Sequence, residues 1–220
     1  MMRYFEGLNS LRFFAAVLVA ISHAVKSVHT HHCSTIYDFS SYSIFQNGTT
    51  SVEFFFVLSG FLITSLLLDE NRLKGDINII SFYKRRILRI WPLYYLMILL
   101  YFVVIPIIVY CFHLHLATNM NMKQLMLYIV FLPNVVRVLY IQTMIGHLWS
   151  IGVEEQFYLI WAPLIKFFKS SLLWIFIAII LFKLCFNILF ISDHLLSPQT
   201  GWSAIIRFII ELKFESMAIG

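Results

Sequence analysis

The chain has 220 residues and a mass of 25.9 kDa, a length that suits one or two soluble domains. Its composition excludes them: only 12% of the residues are charged, 60% are hydrophobic and the mean hydropathy is +0.84, whereas a soluble domain carries about 25% charged residues. The same composition excludes intrinsic disorder and a nucleic-acid-binding arm. We therefore expect an all-α fold, a polytopic bundle of transmembrane helices.

Six or seven apolar segments are candidate transmembrane helices, which need about 20 apolar residues. In chain order they cover residues 11–28, 52–68, 90–112, 125–139, 148–168, 172–190 and 202 onwards. The fourth is short and interrupted by Pro133 and Arg137, so it either crosses the membrane or is re-entrant or interfacial, which is our expectation. No repeat or flexible linker divides the chain. We expect one domain over residues 1–220, cut off within its last helix.

The distribution of basic residues predicts the topology. The formal net charge is +5, and six of the 16 Lys and Arg residues lie within residues 72–89. Positive charge beside a hydrophobic span marks the cytoplasmic side. We therefore place residues 69–89 inside, and residues 29–50, which contain no Lys or Arg, outside.

The same basic cluster contains an R-x-x-R spacing between Arg86 and Arg89, with Arg85 beside them. Residues three apart on a helix are neighbours, so two guanidinium groups point the same way. Such a pair suits a phosphate or diphosphate at the membrane surface. The alternative is that the cluster serves only as a topology signal.

Two ionisable residues lie inside the first apolar segment, and such groups usually face the interior of a bundle. They favour an uncleaved helix over a secretory signal. Arg12 and His23 are 11 residues apart, which places them on one helix face about 16 Å apart. An imidazole there suits a general base. Alternatively, Arg12 extends to the lipid headgroups and His23 bonds a neighbouring carbonyl group.

Three carboxylates are further candidates. Glu53 begins the second segment at the expected depth of His23, where it either orients the imidazole or only favours a helix N-terminus. Glu154 and Glu155 lie in a hydrophobic helix, where adjacent side chains point about 100° apart. The two therefore need different partners, and we expect Glu154 close to the depth of His23.

The cysteines do not indicate disulfides. Cys33, Cys111 and Cys185 form no CxxC pair and no disulfide framework. One polar segment has the composition of a metal site: His29, His31, His32 and Cys33. Metal sites usually draw ligands from two separated elements, and only one is visible here. We expect a solvated histidine-rich loop rather than a metal site.

Four ordered blocks resemble those of acyltransferase family 3, the bacterial membrane O-acyltransferases that modify surface glycans. They are L-N-S-L-R-F-F-A-A followed by S-H at 8–23, V-E-F-F-F-V-L-S-G-F-L-I at 52–63, F-Y-K-R-R-I-L-R-I-W-P-L-Y at 82–94, and H-L-W-S-I-G-V-E-E-Q-F-Y at 147–158. The resemblance covers most of residues 8–163. It implies about ten spans in a whole family member, of which this chain offers six or seven.

The resemblance also implies an activity: transfer of an acyl group, expected to be acetyl, from acyl-CoA to a hydroxyl group of a cell-surface or lipid-linked glycan at the bacterial inner membrane. It implies that His23 is the essential histidine and that Arg12 assists it. Arg86 and Arg89 would serve the acyl-CoA donor, and Glu154 would support the site. Acyl-CoA is the co-substrate, with no bound cofactor.

Direct transfer is the simpler expectation, because no Ser or Cys obviously pairs with His23; an acylated-protein intermediate is the alternative. Two other functions stay open at this point. Intramembrane polar residues and broken spans also suit a transporter or channel subunit with an Arg/His/Glu path. A truncated, inactive paralogue with a scaffold role is the third possibility.

Overall fold

The computed structural model describes residues 7–30, 48–113, 121–140, 145–196 and 201–220. Every regular element in these ranges is helical, with no β-strand among them. Within the described residues, three helical stretches are long and apolar enough to cross a membrane: Gly48–Lys74, Ile79–Cys111 and Gly146–Leu189. A shorter apolar helix covers Ser10–Ser22. The expected all-helical membrane fold is confirmed.

Ten α-helices are described. They are α1 (Leu8–Thr30), α2 (Gly48–Lys74), α3 (Ile79–Leu99), α4 (Ile105–Cys111), α5 (Met122–Ile129), α6 (Pro133–Leu139), α7 (Trp149–Phe168), α8 (Leu172–Leu196), α9 (Gly201–Glu211) and α10 (Phe214–Ile219). A π-helical turn, Leu100–Val104, joins α3 to α4. The chain forms two units, one of Met1–Asp76 with Lys213–Gly220 and the other of Ile77–Leu212.

Two differences between the helix bounds and the expected spans concern residues of the candidate site. α3 begins at Ile79, well before the expected start at residue 90, because the Asn78 side chain caps it by accepting a hydrogen bond from Ser81 N at 2.9 Å. Lys84, Arg85, Arg86 and Arg89 of the basic cluster therefore lie on α3, whereas Arg72 and Lys74 lie in the last turn of α2. The last span is not continuous: α9 ends at Glu211, and Lys213 adopts a left-handed conformation with φ of 52° before α10 begins.

The short fourth segment is broken into α5 and α6. These helices have 8 and 7 residues, so each rises only about 12 Å, less than half of the ~30 Å hydrocarbon core. Phe131, between them, has a positive φ of 57°, and Pro133 opens α6. The break agrees with the expected re-entrant or interfacial segment and not with a single crossing helix.

The first unit is built on α2. α1 runs antiparallel to it, since Ser22 packs at the start of α2 beside Gly48 while Arg12 contacts Ser59 further along. α10 packs on the same helix at Gly60, where an added Cβ would lie 1.8 Å from the Met217 carbonyl oxygen. Only a glycine allows so close an approach of the two backbones.

In the second unit, α3 and α7 lie side by side and antiparallel. Lys166 Nζ donates to the Ile77 carbonyl oxygen at 2.8 Å, and Tyr83 Oη donates to the Leu159 carbonyl oxygen at 2.8 Å. A buried cluster then joins α3 and the π-helical turn to the broken segment and to the turn before α7: Tyr94, Ile98, Tyr101, Tyr128, Val136, Ile145 and Leu148. These contacts fix which side chains of α3 meet α7.

Candidate active site

Arg12 is held against α2 in the first unit. Its Nη2 donates to Ser59 Oγ at 3.2 Å, and its guanidinium carbon lies 4.9 Å from the centroid of the Phe55 ring. Both partners belong to the V-E-F-F-F-V-L-S-G block. The hydrogen bond and the aromatic face together hold the guanidinium group against α2. The structure therefore disfavours the alternative that Arg12 extends to the lipid headgroups.

His23 follows Ser22 on α1, and its side chain lies outside the described residues. The helix is unbroken between Arg12 and His23, which keeps the two positions on one backbone face about 16 Å apart. Ala16 and Ala20, between them, are exposed. The role of His23 as a base stays a prediction. Of the histidine-rich segment, the side chain of His29 and all of residues 31–33 also lie outside the described part.

Glu53 is partnered by a lysine that the sequence did not point to. It lies in the second turn of α2, whose described first turn carries no acidic residue, so a helix N-terminus does not explain its position. Its Oε1 accepts a hydrogen bond from Lys213 Nζ at 2.6 Å. Its expected action on His23 stays a prediction. Lys213 was missed because it lies 160 residues away along the chain.

In the second unit, Arg86 lies in a corner made by two aromatic rings. Its guanidinium carbon is 5.6 Å from the Phe82 centroid and 5.3 Å from the Tyr158 centroid. The two rings are nearly perpendicular, with centroids 6.2 Å apart. Arg86 is half-buried there, whereas Arg85 and Arg89 are exposed. The three arginines share one helix but not one environment.

The adjacent carboxylates have different partners, as their helical positions predict. Glu154 is buried, with 7% exposure, and accepts a hydrogen bond from the Tyr158 hydroxyl group one turn later on α7. Glu155 accepts from Trp91 Nε1 of α3 at 3.3 Å and interacts electrostatically with Arg86. Tyr158 thus connects Glu154 to Arg86.

Phe82 and Tyr158 were not predicted from the sequence to belong to the site, although they lie in the blocks at 82–94 and 147–158. The signal was available in the spacing, since residues four apart on a helix are neighbours. Phe82 precedes Arg86 by four positions, and Tyr158 follows Glu154 by four.

The broken segment is tied to α7 by a pair of amides. Gln156 Nε2 donates to the Phe131 carbonyl oxygen at 2.8 Å and to Asn134 Oδ1 at 3.0 Å, and Asn134 Nδ2 donates back to Gln156 Oε1 at 3.1 Å. Gly152 lets α6 approach, since a Cβ there would lie 2.5 Å from Pro133. This part of the W-S-I-G-V-E-E-Q block therefore holds the break beside the carboxylates.

Trp91 and Tyr94 of α3 pack inside the second unit. Tyr94 is buried: its hydroxyl group donates to the Tyr128 carbonyl oxygen at 2.8 Å, and its ring stacks on Phe131 with centroids 4.3 Å apart. Trp91 is half-buried and bonds Glu155. Both support the candidate site from within the unit.

The described side chains offer cations for a phosphate-bearing ligand. Within the described ranges, no group of three or more His, Cys, Asp and Glu side chains could hold a metal ion. The exposed Arg85 and Arg89 and the half-buried Arg86 are the candidate phosphate ligands, since guanidinium groups match phosphate geometry in a bidentate manner.

The chain is similar to a known protein family. A family model described as an acyltransferase domain matches residues 5–210. The O-acetyltransferase OatA of Staphylococcus aureus is 31% identical over 175 residues, which are 75% of this chain and 25% of that protein. The peptidoglycan O-acetyltransferase OatA of Listeria monocytogenes is 28% identical over 177 residues, 76% of this chain and 25% of that protein. The chain therefore spans about a quarter of these relatives' length. No solved structure matches it significantly.

Proposed function

The chain belongs to the acyltransferase domain family, and on that premise we propose that it transfers an acyl group, expected to be acetyl, from acyl-CoA to a hydroxyl group of a cell-surface glycan. The family match over residues 5–210 carries the proposal. The names of the relatives, O-acetyltransferase and peptidoglycan O-acetyltransferase, support acetyl as the group and a glycan as the acceptor. The apolar helices suit our assignment to the bacterial plasma membrane.

The donor's phosphates are assigned to the arginines of α3. Arg86 and Arg89, with Arg85 beside them, lie within the first three turns of a described helix. Their charges are concentrated where a CoA phosphate or diphosphate would be neutralised by charge-assisted hydrogen bonds. The aromatic corner around Arg86 supports this assignment, because it holds one guanidinium group in place.

The base is assigned to His23. In the proposed reaction, the sugar hydroxyl oxygen attacks the thioester carbonyl carbon while the imidazole accepts the hydroxyl proton. The C–S bond then breaks, and the proton passes from the imidazolium to the CoA thiolate. Arg12, fixed by Ser59 and Phe55, assists as a cation on the same helix. No covalent enzyme intermediate is required.

The assignment is tested by measuring the acetate that alkali releases from surface glycans. The cells express the chain in a host that lacks this modification. We expect His23→Ala to abolish acetylation while equal amounts of protein reach the membrane. The matched control is His113→Asn, since His113 is exposed and has a positive φ of 51° that Asn tolerates. Acetylation retained by His23→Ala would defeat the assignment of the base.

Donor binding separates the enzyme from a transporter subunit. An arginine-modifying reagent such as phenylglyoxal should react with Arg86 and Arg89 in membranes, and acetyl-CoA should protect them. Exposed Arg72, on α2, is the internal control and should stay unprotected. Equal modification of all three with and without acetyl-CoA would count against the donor site.

A further inference from the structure

The environment of Arg86 differs from that of Arg89, its neighbour one turn later. Arg89 is exposed, and an exposed arginine loses much rotamer freedom when it binds a ligand. Arg86 is already confined between Phe82 and Tyr158, at 5.6 and 5.3 Å from the two ring centroids. A group that is fixed before binding avoids that entropic cost.

The ring of Tyr158 is itself fixed. Its hydroxyl group donates to Glu154, which is buried and lies on the same helix. The ring also meets Phe82 edge to face, with an interplanar angle of 88°. The orientation of the surface on which Arg86 rests is therefore determined at both ends, by a carboxylate and by a second ring.

We propose that Tyr158 is a positioning residue for the acyl donor. Its ring, oriented by Glu154, holds the Arg86 guanidinium group in the orientation in which it binds a phosphate of acyl-CoA. The inference rests on the proposed function and deepens it. It assigns Arg86 the pre-organised contact and Arg89 a contact that forms only on binding. Tyr158 acts on donor affinity and not on the acyl-transfer step.

Two substitutions of Tyr158 test the contribution of the ring separately from that of the hydroxyl group. Tyr158→Leu removes both, and we expect the Kd for acetyl-CoA to rise about fivefold, because binding must then pay the entropic cost of immobilising the Arg86 side chain. Tyr158→Phe keeps the ring and loses the bond to Glu154, so the Kd should rise only about twofold. Both are measured by calorimetry on the full chain in detergent. In transfer assays the KM for acetyl-CoA should rise and kcat should stay unchanged.

Two readouts distinguish positioning from a merely structural role. S-acetylpantetheine lacks the phosphates of CoA, so its affinity should be the same for wild type and Tyr158→Leu. In an Arg86→Ala background, Tyr158→Leu should cause no further loss of acetyl-CoA affinity, because the group that it positions is gone. Fully additive losses would overturn the proposal.

The matched control is Tyr83→Phe, which removes a hydrogen bond between the same two helices, from Tyr83 to the Leu159 carbonyl oxygen. It should leave the acetyl-CoA affinity unchanged. If it weakens binding as much as Tyr158→Leu does, loosening of α3 from α7 explains both and the inference fails. A wild-type chain that binds no acetyl-CoA would instead defeat the proposed function, whereas normal binding by Tyr158→Leu would defeat this inference alone.

Discussion

Glu53 on α2 and Lys213 form an ion pair with 2.6 Å between Oε1 and Nζ, although 160 residues separate the two along the chain. Lys213 has a left-handed backbone, so the pair fastens the turn before α10 to the second turn of α2. Glu53 therefore has a structural partner in addition to the expected action on His23.

Exchanging the two charges tests the ion pair of Glu53 separately from its expected action on His23. Glu53→Lys alone places like charges together and should lower the free energy of unfolding by about 1 kcal/mol, because the pair is partly exposed. The double variant Glu53→Lys/Lys213→Glu should recover the stability, measured by thermal unfolding in detergent. Glycan acetylation should stay lost in the double variant if Glu53 also orients His23.

The control for this exchange is Lys169→Glu, which reverses an exposed charge and should leave stability unchanged. A double variant no more stable than Glu53→Lys would show that the ion pair does not hold the turn.

The contact between Arg12 and Ser59 should be measurable as helix packing. Ser59→Ala removes the acceptor of the Arg12 hydrogen bond and should cost about 1 kcal/mol of stability. Ser65→Ala, at a half-buried position on the same helix, is the matched control and should cost less. Arg12→Lys should lower acetylation further than Ser59→Ala, since an ammonium group does not reproduce the planar fork. Equal stability of Ser59→Ala and wild type would contradict the contact.

The amide pair of Gln156 and Asn134 should be strongly coupled. Asn134 is fully buried, so Gln156→Leu leaves its amide and the Phe131 carbonyl group without their partner and should cost about 2 to 3 kcal/mol. Adding Asn134→Leu should cost less than the sum of the single changes. Chemical unfolding of the four proteins measures the cycle. Simple additivity would mean that the pair does not tie the broken segment to α7.

Gly60 should not tolerate a methyl group. A Cβ would lie 1.8 Å from the Met217 carbonyl oxygen, so Gly60→Ala should displace α10 and cost about 2 kcal/mol or more. Ala24→Val, which adds bulk at an exposed position of α1, is the control. Protease cleavage between α9 and α10 should increase in Gly60→Ala. If stability and cleavage match those of wild type, the close packing on α2 is wrong.

The sequence predicted the helical class because lipid demands long apolar segments, and it predicted the break near Pro133 because proline and polar residues interrupt a span. It did not predict the division of the last segment, since the left-handed turn at Lys213 coincides with a contact to distant Glu53. An R-x-x-R spacing makes Arg86 and Arg89 equivalent. Phe82, four residues before Arg86, distinguishes the two within α3, and Tyr158 does so from α7. Interhelical partners of this kind leave no local pattern.

The return of the chain to α2 has a consequence for biosynthesis. α1 and α2 leave the ribosome before Lys213–Gly220, which packs on α2 and is translated only after all of residues 77–212. At the usual rates of translation the delay is on the order of ten seconds. During that interval the surface of α2 around Gly60 is in the bilayer without α10 packed on it. It is then accessible to lipid, to chaperones or to another nascent helix.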